Sequence, residues 1–347
     1  MKTKLHKKRL TYRQSGNILI RLLIVVFTAL FIYDQLIYRK DFDDLLSSFD
    51  QISVGFWSNT LLIITIVLIP INLLFEAIKW KYLIGKLERV SLWNSVVGVL
   101  AGISVSMIMP NRVGDYLGRV FILKTADRIQ AVLSTILGSL AQLLTTLIIG
   151  LIASVFYFPE YFDISENLNL WMYIGYIMVA LTTISIMIFI YLNFSFFSII
   201  IRRISGKYYK KIEKYAEVFS WYSQQELLNV LLLSITRYVV FSMQFFLLLL
   251  VFNVKINYLE AMMLIAIVYF LMTIIPTIAL TEIGVRGSVS LFVFSYHFEL
   301  FGSWSPELAI GVVSASSLLW IFNLVIPAII GTGMVFSLRF FRKSNGN

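Results

Sequence analysis

Long apolar runs alternate along this chain with short polar and basic segments. A bilayer core about 30 Å thick takes about 20 apolar residues per helical crossing. Runs of that order occupy residues 18 to 38, 58 to 80, 129 to 157, 169 to 193, 227 to 252 and 308 to 338, and each predicts a spanning helix. Two further apolar stretches are broken. The first, 92 to 109, ends at Pro110-Asn111-Arg112-Val113-Gly114-Asp115; the second, 258 to 275, ends at Pro276 and continues through Thr281-Glu282-Ile283-Gly284-Val285-Arg286. Proline and glycine interrupt a helix by removing a backbone donor and by loosening the backbone, so both stretches predict interrupted helices.

The polar segments orient the runs. Cytoplasmic loops near span ends are enriched in Lys and Arg, and 23 of the 29 basic residues fall in five segments: 1 to 17, 79 to 89, 112 to 128, 202 to 214 and 339 to 343. Asp41, Asp43, Asp44, Asp50, Glu160, Asp163 and Glu166 gather in two loops that carry almost no Lys or Arg, which read as external. For 79 to 89 and 112 to 128 to share the cytoplasmic side, residues 92 to 128 must enter and return as a re-entrant hairpin. By the same parity, residues 258 to 301 form a hairpin from the external side or two full crossings. Both termini are then cytoplasmic.

A span, a hairpin and a span (58 to 157) thus mirror a second such set (227 to 338) in the opposite orientation. Local chemistry agrees: Pro110 precedes Asp115 and Arg119, Pro276 precedes Glu282 and Arg286, and acid and arginine are four apart both times. Inverted repeats with interrupted helices meeting near the midplane are a recurrent transporter design, because broken backbone at membrane depth survives where it lines a cavity or is buried in protein. The expected fold is all-α and polytopic: one integral membrane domain over 1–347, with about six full spans plus hairpins at 92–128 and 258–301, eight or more membrane segments in all. A basic cytoplasmic N-terminus (1–17) and a cytoplasmic tail (339–347) flank it.

Composition narrows the function. The 347 residues are 59% hydrophobic and 14% charged, against about 25% charged in soluble domains. Cysteine is absent, which excludes disulfides, thiolate nucleophiles and Cys-ligated metal. Two histidines, His6 and His297, lie far apart, and no Gly-rich phosphate loop, HExxH or GxSxG occurs. The net charge of +10 sits in loops beside apolar runs, which points to anionic lipid headgroups and away from nucleic acid. No cofactor and no metal is expected.

An arginine or carboxylate at the bilayer centre costs at least about 2.5 kcal/mol on insertion scales, so it should face a partner or water. Residues four apart share a helical face: Asp115 can neutralise Arg119 and Glu282 can neutralise Arg286, leaving Arg112 as a surplus cation suited to phosphate. The same pairs would also serve simply to lock the hairpins. Arg237, ten residues into its run, needs a counter-ion; it lines a substrate path or pairs with Glu76 or Glu282. Lys79 and Trp80 suit the membrane interface. Residues 202 to 226, basic and aromatic together, read as an interfacial amphipathic helix. His297 is placed in a solvated external loop. Asn72, Gln142 and Asn323 are expected to hydrogen-bond between helices.

At these residues the sequence resembles the lysylphosphatidylglycerol synthase transmembrane region, a flippase-like family also called UPF0104-type, over nearly its whole length. The resemblance is carried by Glu76-Ala77-Ile78-Lys79-Trp80-Lys81, by Pro110-Asn111-Arg112-Val113-Gly114-Asp115 with Arg119, and by Ile275-Pro276 through Gly284-Val285-Arg286. Two departures stand out. The family's acid follows the last arginine, where this chain has Gly287, and its Gly stands at Glu282; the Glu-Arg pair of the following span is replaced near Ser139 to Gln142. The resemblance implies a bacterial-type inner (plasma) membrane protein that moves an aminoacyl phospholipid or a polyprenyl-linked sugar between leaflets. Arg112, Asp115, Arg119, Arg237, Glu282 and Arg286 are the expected substrate-binding set. The chain is expected to be no enzyme, its partners being the lipid substrate and anionic headgroups, with a homodimer left open. An intramembrane enzyme acting on a polyprenyl phosphate and a non-transporting scaffold are the rival readings.

Overall fold

Wherever the structure, a computed structural model, describes the chain, the apolar runs are helices. The described residues are 26, 55–107, 109, 113–157, 159, 167–205, 209–275, 279–300 and 302–334, and among them there is no strand. The first repeat-like set comprises α1 (Phe56–Ile84), α2 (Leu92–Ser106), α3 (Val113–Val120) and α4 (Arg128–Tyr157). It is followed by α5 (Asn167–Leu192), α6 (Phe196–Ser205), α7 (Tyr209–Ala216) and a 3₁₀ turn, Glu217–Ser220. The second set is α8 (Gln224–Val251), α9 (Tyr258–Ile274), α10 (Ala279–Leu300), α11 (Pro306–Trp320), a π-helical turn (Ile321–Val325) and α12 (Ile326–Met334). Five helical stretches are long and apolar enough to cross a membrane: α1, α4, the 170–192 part of α5, α8, and the continuous rod from α11 to α12. The run at 18 to 38, the acidic loops and the C-terminal tail lie outside the described residues.

Local chemistry sets the helix starts. Ser91 caps α2 through Asn94 N–H, Asn257 caps α9, and Ser305 caps α11 with Pro306 in its first turn. Ser223 and Glu226 form a reciprocal capping box at α8, satisfying backbone donors that have no partner within the helix.

The two sets exchange partners. α1 lies along α8 in one of the molecule's most extensive helix contacts, α4 of the first set packs on α9 of the second, and α12 of the second packs on α2 of the first. Glycine makes the α12–α2 contact possible, and likewise the packing of α3 on α2 within the first set. A Cβ at Gly118 of α3 would stand 2.5 Å from the Cα of Gly102 in α2, and one at Gly331 of α12 would stand 2.1 Å from the carbonyl oxygen of Leu100 in α2. Small residues allow this backbone approach where water supplies no hydrophobic drive. α8 also joins a core of Phe245, Leu248, Leu264, Phe294 and Leu319, on which Ile69 of α1 packs as well.

The loops sort to two ends of the bundle. At one end, Glu88 before α2 accepts backbone N–H groups of Lys124, Thr125 and Ala126 after α3. Asp127 there pairs with Lys214 of α7 at 2.7 Å, and Lys86 pairs with Glu226 of α8 at 2.6 Å. Residues 86 to 88, 124 to 127 and Lys214, from three of the basic segments, therefore meet at one end, where α2 begins and α3 ends. At the other end the Tyr157 hydroxyl of α4 lies 3.0 Å from His297 Nδ1 of α10, whose Nε2 is 4.0 Å from Glu260 of α9.

Two sequence expectations change. Residues 202 to 226 do not form one interfacial helix: α6 ends at Ser205, α7 is separate, and the segment turns into the bundle. Tyr222 donates to the carbonyl of Leu83, and Val218 is fully buried. Those apolar groups gain more by burial against α1 and α4 than an exposed amphipathic face would allow. His297 is not in a solvated loop; α10 runs on to Leu300 and carries it inside the bundle, 3% exposed.

Candidate functional site

Where α1, α3, α4, α8 and the π-helical turn converge, polar residues replace the apolar core. Residues four and seven apart on α1, Asn72, Glu76 and Lys79, form one buried stripe. Glu76 is the hub. Its Oε1 accepts Arg119 Nη1 at 2.6 Å, while its Oε2 faces Lys79 Nζ at 2.8 Å and Arg237 Nη1 at 3.1 Å. Arg119 donates Nε to Asp115 Oδ1 at 2.8 Å and Nη2 to Asp115 Oδ2. This i, i+4 pair on α3 is the one expected from spacing, and Glu76 adds a third bond that ties the first hairpin to α1 and α8.

Each of the four spans flanking the hairpins also contributes an uncharged or cationic side chain to a hydrogen-bonded set around Arg237. Arg237 of α8 donates Nε to Asn72 of α1 at 2.9 Å and Nη1 to Gln142 of α4 at 3.3 Å; Asn72 donates to Asn323 of the π-helical turn at 2.8 Å. The interhelical bonding expected of Asn72, Gln142 and Asn323 is thus present. Pro70 lies in α1 two residues before Asn72, and the π turn holds Asn323. Both loosen the backbone ladder at this level.

Beside this network is a cavity of about 670 Å³, lined by α4, α8, α9, α10 and the π-helical region. Arg237, Glu282 and Arg286 line it together, with Gln142, Thr273 and Asn323 adding polar groups and Tyr238, Phe241, Tyr269 and Trp320 adding aromatic ones. Arg286 donates Nη2 to Glu282 Oε1 at 3.2 Å and lies over the Phe241 ring at 5.9 Å. Among the described residues its Nε and Nη1, and the Trp320 indole nitrogen, find no hydrogen-bond partner.

The sequence-predicted residues therefore fall in three places. Arg237, Glu282 and Arg286 share the cavity. Asp115 and Arg119 stand behind Glu76, joined to Arg237 through its carboxylate and absent from the cavity wall. Arg112 lies outside the described residues. The interfacial reading of Lys79 and Trp80 is overturned: they are 2% and 1% exposed, and Trp80 donates its indole N–H to Thr135 at 3.0 Å. The hub at Glu76 supplies the charge that holds Lys79 inside.

Sequence reasoning passed over Glu76 as the centre and missed Trp320, Tyr238, Phe241 and Tyr269. The 72-76-79 spacing would have revealed the first. The aromatic residues sit in runs rich in apolar side chains and carry no distinguishing pattern.

Among the described residues no group of His, Asp and Glu is arranged to hold a metal ion. Neither the curated proteins nor the solved structures provide a match. A family model does, and it spans both hairpins and the polar network up to, but not including, Asn323: residues 18–313 match the lysylphosphatidylglycerol synthase TM region, and the chain belongs to that family.

Proposed function

We propose that this multi-pass membrane protein moves a phosphate-bearing lipid between leaflets. The observation that carries the reading is the pair of arginines, Arg237 and Arg286, on one cavity among membrane-spanning helices. Buried cations at that depth are costly unless they serve a partner or a ligand. Guanidinium groups suit phosphate oxygens in fork geometry. The acyl chains would remain in lipid while the headgroup occupies the cavity. The family name, which refers to a phospholipid synthase, supports a lipid as the molecule acted on.

The two hairpins would supply the moving parts. α2, at 15 residues, is about 22 Å long by helical rise, short of the hydrocarbon thickness of about 30 Å, and it begins at the end to which α3 returns. This supports a re-entrant first hairpin. α9 and α10 start and finish at the opposite end, which supports inverted topology and the alternate opening such repeats permit. The basic loops support a cytoplasmic side for the first hairpin's open end and for both chain termini, in an inner (plasma) membrane. The chain acts without chemistry on the lipid, so its driving force would be an ion gradient, the membrane potential or the lipid gradient itself.

Reconstitution into vesicles carrying fluorescent phospholipid tests the reading. Leaflet exchange is expected with the natural chain and is expected to fall at least tenfold in Arg286→Gln and Arg237→Gln. A chemically altered lipid with unchanged leaflet balance would make the chain an enzyme, and neither exchange nor product would leave a scaffold.

A further inference from the structure

We infer that the cavity is an anion receptor selecting lipid headgroups of net negative charge over zwitterionic and amine-bearing ones, with Trp320 among its donors. The inference rests on the lipid-carrier reading and narrows its substrate.

Hydrogen-bonding capacity is the first argument. Arg286 is 8% exposed and Trp320 2%, yet among the described residues two guanidinium nitrogens of the one and the indole nitrogen of the other have no hydrogen-bond partner. All three are donors and cannot accept. Buried donors without acceptors carry a desolvation penalty, which a ligand presenting several acceptor oxygens would relieve. Glu282 and the Phe241 ring fix the guanidinium from two sides, leaving the rest of its fork for that ligand. Arg237, its side chain 31% exposed, offers the more accessible contact on the same wall.

Charge is the second. Among the described residues of the network and cavity, the carboxylates are Glu76, Asp115 and Glu282, and the cations are Lys79, Arg119, Arg237 and Arg286. One positive charge is left without a counter-charge. A phosphodiester supplies one negative charge together with the acceptors.

Among the described residues of the cavity wall, no carboxylate is left open to an ammonium group. Glu282, the one carboxylate among the described residues of the cavity wall, is engaged by Arg286. Aromatic faces hold ammonium in other proteins, but here Phe241 already carries Arg286, and Tyr269 is surrounded by Tyr238, Phe241 and Phe245 at ring-centre separations of 5.8, 5.2 and 6.2 Å. An amine entering the cavity would instead meet two arginines.

The test is binding of short-chain lipids to the purified full chain in an uncharged detergent. The probes are phosphatidylglycerol, phosphatidylcholine, lysylphosphatidylglycerol and inorganic phosphate. Phosphatidylglycerol is expected to bind at least tenfold more tightly than any of the other three. Trp320→Phe keeps the ring and removes the donor, so it should weaken phosphatidylglycerol binding by about threefold to tenfold and leave phosphatidylcholine unchanged. Equal binding of phosphatidylcholine or lysylphosphatidylglycerol would overturn the charge selection, and an unaffected Trp320→Phe would overturn that residue's role. Inorganic phosphate binding as tightly as the lipid would assign the receptor to a free anion and overturn the lipid source. Leaflet exchange measured in parallel separates the two proposals. Exchange without charge preference defeats this one alone, and selective binding without exchange defeats the carrier reading alone.

Discussion

Glu76 stands where three cations converge, and its charge is what allows them to be buried together. Glu76→Gln preserves size but leaves Lys79, Arg119 and Arg237 with Asp115 as the remaining carboxylate of the cluster. Removing one partner of a buried ion pair costs about 3–5 kcal/mol, so thermal unfolding in detergent should show a large loss for this variant. Lys79→Met should behave differently: Glu76 retains two arginines, the apolar side chain fits a buried position, and the change should stay within about 1 kcal/mol. Equal destabilisation by both variants would mean that Lys79, not Glu76 alone, holds the cluster. At this scale the sequence was informative about pairs within one helix. Asp115 with Arg119 and Glu282 with Arg286 follow from four-residue spacing, whereas the bonds from Glu76 to Arg119 and Arg237 join residues 43 and 161 positions apart by sequence number. No local periodicity encodes such separations; the Glu76–Arg237 pair is one of the two counter-ion pairings expected for Arg237, on the ground that a cation inside an apolar run needs a counter-charge. Lys79 and Trp80 misled for a related reason, since a basic residue and a tryptophan near the end of an apolar run are also what an interface anchor looks like.

For the helices themselves, length and hydropathy sufficed: the expected runs at 58 to 80, 129 to 157 and 227 to 252 match α1, α4 and α8 to within a few residues at each end. What joins the elements was less legible. Glu88 lies in a short loop and looks like any solvated acid in sequence. In the structure its carboxylate receives the N–H groups of Lys124, Thr125 and Ala126 and the Thr125 hydroxyl at 2.7–3.0 Å. Partial burial pushes its pKa up, but these hydrogen bonds outweigh that and hold it at about 2, against a usual 4.5. A carboxylate whose folded pKa is depressed stabilises the fold above its unfolded pKa, and the contribution is lost as pH falls through the folded value. The stability gap between the natural chain and Glu88→Gln should therefore be constant above pH about 5 and close as pH falls from about 4.5 to 2; a gap independent of pH would refute the clamp. The glycine contacts give a second prediction for the elements. Gly331→Ala places a methyl against the α2 backbone and should lower stability by about 1–3 kcal/mol or more, whereas Gly284→Ala, which meets open space, should be tolerated on packing grounds.

The whole molecule ties these features to a topology. Because the chain holds no cysteine, single cysteines can report which face of the membrane each loop occupies. Arg89, Lys124 and Lys210 are exposed at the end where the basic segments meet, and Lys255 and Ser303 are exposed at the other. Counting charge along the chain anticipated this division, because Lys and Arg mark loops whatever the spans between them do. It did not anticipate the exchange of partners between the two helical sets, which depends on surfaces brought together only after the helices form. If α2 and α3 enter and return, cysteines at 89 and 124 share a face although two helices separate them. In intact cells a membrane-impermeant maleimide should label Lys255→Cys and Ser303→Cys, and should reach Arg89→Cys, Lys124→Cys and Lys210→Cys only after permeabilisation. Labelling of Arg89→Cys and Lys124→Cys from opposite faces would mean an odd number of crossings between them. That result would place Arg119 and Glu76 at different membrane depths from those the ion-pair network requires, and would remove the physical basis for a cavity shared by the two sets.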